Sequence, residues 1–191
     1  MEPAPTPPPV TPSPAPPPMT TDAGYAGGRG KADLGRRFAA YFIDGLIAYV
    51  PALIISFLFA LGGFRGAGLG LGLIAGGAYI LLRDGLNLDF ADGRSIGKKL
   101  MKLRAERLDG GAMTMEASVR RNWPLGAFYL LYGLGALFGG LGVYSIAGLF
   151  GIIGWAASLL TIVEAVLVLT DKDGRRFGDK MAETQVYDAG S

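Results

Sequence analysis

"RRFAAYFIDGLIAYVPALIISFLF", residues 36–59, decides how the rest of the chain is read. At about 1.5 Å per helical residue it is long enough to cross a bilayer. Its interior is apolar except for one carboxylate, Asp44. A lone carboxylate in hydrocarbon costs roughly 2.5–3.5 kcal/mol on insertion scales. Asp44 is therefore expected to face protein, inside a bundle of helices.

Half of the 191 residues are hydrophobic, and mean hydropathy is +0.35. These residues fall in blocks rather than at helix or strand periods, which is a membrane pattern. There is no cysteine, which excludes disulfide and thiol chemistry, and no histidine. The commonest general base and zinc ligand is thus missing. No catalytic residue, metal or cofactor is expected, and the chain is not read as an enzyme. The formal net charge of +2 says little; its placement says more.

Residues 1–18 hold ten of the twelve prolines, and Gly, Thr, Asp and Ala dominate the next dozen. Such a tract cannot build a core, so residues 1–33 are expected to be a disordered cytoplasmic tail. It lacks the basic start and apolar core of a signal peptide. The remainder, 34–188, is expected to be one all-α membrane domain of four transmembrane helices. The first span covers about 38–61, with a kink expected at Pro51. The second covers about 66–82, where Gly68, Gly72 and Gly76 form a smooth stripe for helix packing within the chain. The apolar block 125–169 is twice the length one crossing requires, so it folds back at "GGLG", 139–142. That gives spans of about 125–140 and 146–169.

The basic residues set the orientation. Four of the 18 precede the first span, nine lie between the second and third, and four follow the fourth; Arg65 alone falls on the other side. Both termini are therefore expected in the cytoplasm, in a cell (inner or plasma) membrane.

Asp44 on the first span and Glu164 on the fourth come out at similar depth near the cytoplasmic face. Arg37, two turns before Asp44, has two outlets: inward to Asp44, or outward to lipid phosphates. Two readings of this group compete. One is an ion-pair network that fixes helix packing; the other is an ion or proton site using Asp44 and Glu164. The loop "GRSIGKKLMKLRAERLDG", 93–110, reads as a basic helix on anionic inner-leaflet lipid, or as a strand-like or irregular cap. Nucleic acid is not expected, since no aromatic platform interleaves the charges. Thr114 is expected to cap a short helix, "MEASVRR", ending against Trp123-Pro124.

Arg37 followed by "FAAYFID", then "GRSIGKKL", "SVRRNWPLG" and "GRRFGDKMAETQV" together resemble the RDD family of bacterial membrane proteins. The resemblance runs from about Leu34 to Tyr187. It implies Arg37, Asp44 and Asp179 as the signature arginine and two aspartates, with Gly97, Lys98 and Arg121 in the cytoplasmic-loop motifs. Family sequences commonly carry Gly where this chain has Glu183. The family's molecular role is mostly unassigned, with sodium/proton antiport proposed for some members. The expected function is a structural, adaptor or modulatory membrane protein, and the alternative is a cation or proton transporter. Expected partners are the bilayer and a second copy or another membrane protein.

Overall fold

The computed structural model describes residues 32–86 and 89–189, so the proline-rich tail lies almost wholly outside the described residues. In chain order the elements are α1 (Leu34–Ala60), α2 (Arg65–Leu82), α3 (Ile96–Leu100), β1 (Leu103–Arg107), α4 (Met115–Gly140), α5 (Tyr144–Thr170), α6 (Phe177–Met181) and β2 (Thr184–Asp188). Helix α1 begins where the Asp33 carboxylate accepts the Arg36 amide at 2.9 Å, and it continues unbroken through Pro51. Beyond Arg37 its buried residues are Ala40, Asp44, Ala48, Ala52 and Ser56, one every four. They make a single stripe of small or polar side chains. The large ones point away: Phe42 is 65% exposed and Phe57 66%.

Helix α2 meets that stripe with glycine. A Cβ on Gly72 would collide with Ala52, one on Gly76 with Ala48, and one on Gly68 with Phe59. The Gly68–Gly72–Gly76 stripe is thus used within the chain, against α1, as its spacing predicts. The other side of α2 is equally bare, with Gly70 against Leu137 and Gly77 against Tyr129 of α4. On the far side of α4, α5 lies antiparallel, Gly135 near Ala147 and Gly154 near Tyr132. The packing order is α1–α2–α4–α5. Helices α1 and α5 meet only slightly, Tyr41 and Thr161 sharing a side-chain hydrogen bond across the gap.

Two expectations need correcting. The segment "MEASVRR" is not a separate helix; α4 runs from Met115 to Gly140 with Pro124 inside it. Proline costs about 3 kcal/mol within a helix. Here the turn before it is held from the side, because Ser118, Arg121 and Asn122 are buried on other elements' polar groups. The domain is also not purely helical. The loop 93–110 divides into α3 and β1, and β1 pairs antiparallel with β2, Leu103 opposite Asp188 and Arg107 opposite Thr184. Leu103 and Val186 from this ribbon bury against Ala32 and Ala40, which seats it on the start of α1.

The two halves of the chain repeat each other. Asp33 and Thr114 cap α1 and α4, each accepting the amide three residues on. After α2 comes "DGRSIGKKL", 92–100; after α5 comes "DGRRFGDKM", 173–181. Gly93 and Gly174 share φ of 65° and 64°, and Lys102 and Glu183, at 54° and 50°, each turn a short helix into a strand. All of these counterparts stand 81 residues apart. Both halves run in the same sense, helix, helix, short helix, strand. All the polar elements gather at one end of the bundle, opposite the turns at 61–64 and 141–143.

By length and composition α1, α2 and α5 are apolar enough to cross a membrane. Helix α4 is long enough, but its apolar part is diluted by glycine, tyrosine and a charged first turn. On α5, Ile152, Trp155 and Ile162 are largely exposed, while the fully buried side chains of the molecule include Arg121, Asn122, Asp44 and Asp179. Apolar outside and polar inside is the distribution a lipid solvent selects.

Candidate functional site

Asp44 is 1% exposed and accepts four hydrogen bonds. Its Oδ1 takes the Tyr79 hydroxyl at 2.9 Å and the Gly97 amide at 2.8 Å. Its Oδ2 takes the Ser95 hydroxyl at 2.7 Å and Arg83 Nη1 at 3.0 Å. Each bond to a charged group is worth about 1.5–3 kcal/mol, so the set offsets the cost of placing the carboxylate there. The Gly97 amide reaches so close because its residue has no side chain. A Cβ there would run into the Ala40 carbonyl and stand 2.9 Å from Asp44 Cγ.

A second carboxylate, Asp84, follows directly after α2. Lys98 Nζ lies 2.5 Å from its Oδ1, and the Asn122 amide donates to its Oδ2 at 3.0 Å. Arg121 Nε stands 3.3 Å from the same oxygen. Burial alone would raise the Asp84 carboxyl, but Lys98, Arg121 and Arg83 hold it well below the usual carboxylate range. At Lys98 burial wins: with Asp84 opposing it and Arg83 and Arg121 adding repulsion, its ammonium falls to about 7.

The third is Asp179, on α6. Its Oδ2 accepts Arg37 Nη2 at 3.2 Å and the Arg176 amide at 3.1 Å; its Oδ1 lies 3.1 Å from Arg121 Nη2 and 3.3 Å from Arg176 Nη2. Burial would raise this carboxyl, yet Arg121, Arg176 and Arg37 hold it far below its ordinary value. Glu164 completes the group. Its Oε1 accepts the Gly178 amide at 3.0 Å, and its Oε2 stands 3.8 Å from Arg176 Nε. Gly178 repeats the Gly97 device, since a Cβ there would strike the Arg121 carbonyl.

The sequence-predicted residues thus all meet at one end of the bundle, with some pairings changed. Arg37 does not turn to Asp44; it binds Asp179 and the Gly174 carbonyl. Lys98 is buried on Asp84 rather than turned to lipid. Asp44 and Glu164 line one cavity but are held by different partners. Arg83, Asp84, Asn122 and Arg176 were not singled out as site residues. Arg83 carried a signal: folding the first hairpin at its turn brings Asp44 level with the end of α2. Asn122 and Arg176 stand in the motifs "SVRRNWPLG" and "GRRFGDKMAETQV", but their pairing comes only from α6 docking on α4.

Five cations, Arg37, Arg83, Lys98, Arg121 and Arg176, interlock with four carboxylates in one buried network. Such a molecule is a helical membrane-type protein whose apolar helices are pinned at one end by an ionic clamp. The RDD family model matches residues 31–183, and the chain belongs to the RDD family. No curated protein and no solved structure matches it.

Proposed function

We propose that this chain is a four-span protein of the cell (inner) membrane, both termini cytoplasmic, with a structural, adaptor or modulatory role. The observation that carries the reading is the saturation of its intramembrane acid. Asp44 receives four donors, from α2, the residue after it, the α3 cap and α3 itself. A carboxylate so engaged is a clamp, with no lone pair left over for a travelling cation. The 17 basic residues that would share one side support the orientation, and the 26-residue α4, about 39 Å at 1.5 Å per residue, supports a fourth crossing. Partners of this reading are anionic inner-leaflet lipids and a second copy or another membrane protein.

The runner-up is a cation or proton transporter. One observation favours it: Asp44 and Glu164 line the same cavity. The two readings part at Asp44→Asn. The clamp predicts that purified chain in vesicles gives no sodium- or pH-gradient-driven flux, and that the variant chiefly lowers the amount of folded protein. Flux from wild-type protein, abolished in Asp44→Asn at equal folded protein, would establish the transporter instead.

A further inference from the structure

The repeat makes α1 the counterpart of α4 and α2 the counterpart of α5. The tight α2–α4 contact therefore has a counterpart between α5 and α1, and there the helices stand apart except where Tyr41 and Thr161 hydrogen-bond beside the cavity. The glycines mark the difference. Gly70 meets Leu137 of α4, while its counterpart Gly151 has no described residue within 4 Å of where a Cβ would sit. One seam of the bundle is closed and its twin is open.

At the polar end of the open seam lies a cavity of about 120 Å³. A single water needs only ~10–15 Å³. Both halves contribute to it in register: Ala40 with Arg121, Asp44 with Leu125, Arg83 with Glu164, each pair again 81 residues apart. Its walls toward the seam are Phe38, Tyr41, Thr161, Ala165 and Val168. All five cations of the network line it, together with the carboxylates of Asp44 and Glu164. Those five face four carboxylates. Two of the guanidiniums also keep free donors. Arg83 Nε and Arg121 Nη1 have no hydrogen-bond partner among the described residues, although Arg83 is 3% exposed and Arg121 1%; nor has Glu164 Oε2 on the same cavity. An unmet buried donor costs about 1–3 kcal/mol, more when charged.

We propose that the open α1–α5 seam binds one anionic amphiphile, a molecule with a single acidic head group on an apolar chain. The head group sits against the guanidiniums of Arg83 and Arg121. The chain runs outward past Ala165 and Phe38 between the two outermost helices. In secondary transporters built from repeats, substrate sites lie at the interface between the repeats. The inference depends on the cavity and its charge, not on the role proposed above or on the orientation of the termini. Flux and binding are separate readouts, so either reading can fail alone.

The test is direct binding to the purified full chain in non-ionic detergent. Dodecyl phosphate, dodecyltrimethylammonium, dodecanol and inorganic phosphate are titrated separately, with native mass spectrometry for stoichiometry and thermal melting for stabilisation. The expected result is saturable binding of one dodecyl phosphate per chain. Affinity should be at least tenfold weaker for dodecanol and dodecyltrimethylammonium, and absent for inorganic phosphate. Ala165→Phe, which fills the wall of the cavity, should weaken dodecyl phosphate tenfold or more, and Ile162→Phe, on the exposed face of α5, should not. Displacement of dodecyl phosphate by phosphatidylglycerol assigns the ligand to the bilayer; failure to displace it assigns a single-chain acid, and each upholds the site. Absence of saturable binding, equal binding of the cationic amphiphile, or equal binding of inorganic phosphate alone overturns it. Those comparisons need only wild-type protein, so a variant that fails to fold does not rescue the proposal.

Discussion

At the scale of single residues, two glycines govern how the charges meet. Gly97 and Gly178 bring a backbone amide onto Asp44 and Glu164, and each lies against a carbonyl of α1 or α4 where no Cβ fits. Gly97→Ala and Gly178→Ala should each cost about 3 kcal/mol, from overpacking and a strained charge-assisted bond. Gly148→Ala should stay within about 0.5 kcal/mol, since no described residue approaches that position. Thermal melts of the purified variants check the contrast; equal losses at all three would contradict it. Asp44 could be read as inward-facing from its setting alone, because hydrocarbon leaves a carboxylate no other choice. Its partners could not, because Ser95 and Gly97 reach it from a loop more than fifty residues away. Glu183 adds a smaller point. It holds φ of 50°, the left-handed region that glycine favours.

At the scale of elements, α6 shows how the clamp depends on ionisation. Asp179 caps this short helix through the Arg176 amide and is gripped by three arginines. Its carboxyl, like that of Asp84, is held below the ordinary value near 3.9. A carboxylate shifted this way contributes its full stability above the unfolded pKa and loses it as pH falls through the folded one. Residues 174–188 should therefore stay protected in hydrogen exchange from pH 7 down to about 4, and open only well below that. Release of the segment between pH 7 and 5 would show that Asp179 is not the anchor. The ends of α1, α2 and α5 were legible as apolar blocks with charged edges. The start of α4 was not, because Pro124 is a sound local stop signal that the docking of Arg121 and Asn122 overrides. The ribbon was hidden for a similar reason, since five-residue strands acquire meaning only when β1 finds β2 some eighty residues later.

At the scale of the whole molecule, the repeat explains why one end is charged and the other is not. Two helical hairpins in the same sense each return to the same face, and each ends in a short helix and a strand. The repeat is carried by a few identities in two nine-residue stretches, while the helices between share little sequence, so it emerges from the comparison of the two folded halves. The absence of cysteine makes the orientation straightforward to test. Single cysteines at Gly63 and Gly142 should react with a membrane-impermeant thiol reagent from outside intact cells. Cysteines at Gly110 and Ala189 should react only after the membrane is opened. The reverse pattern, or labelling of all four, would refute four spans with internal termini.

The central claim is that Asp44 tolerates its position because Arg83 and its neighbours hold it as an inward-facing clamp. A double-mutant cycle on Asp44→Asn and Arg83→Gln, read by unfolding of the purified protein in lipid discs, tests this most directly. Each single change should cost about 3–5 kcal/mol by stranding a buried charge, and the double should cost less than the sum by at least about 1 kcal/mol. Strictly additive losses, or an Asp44→Asn variant as stable as the parent, would contradict the account.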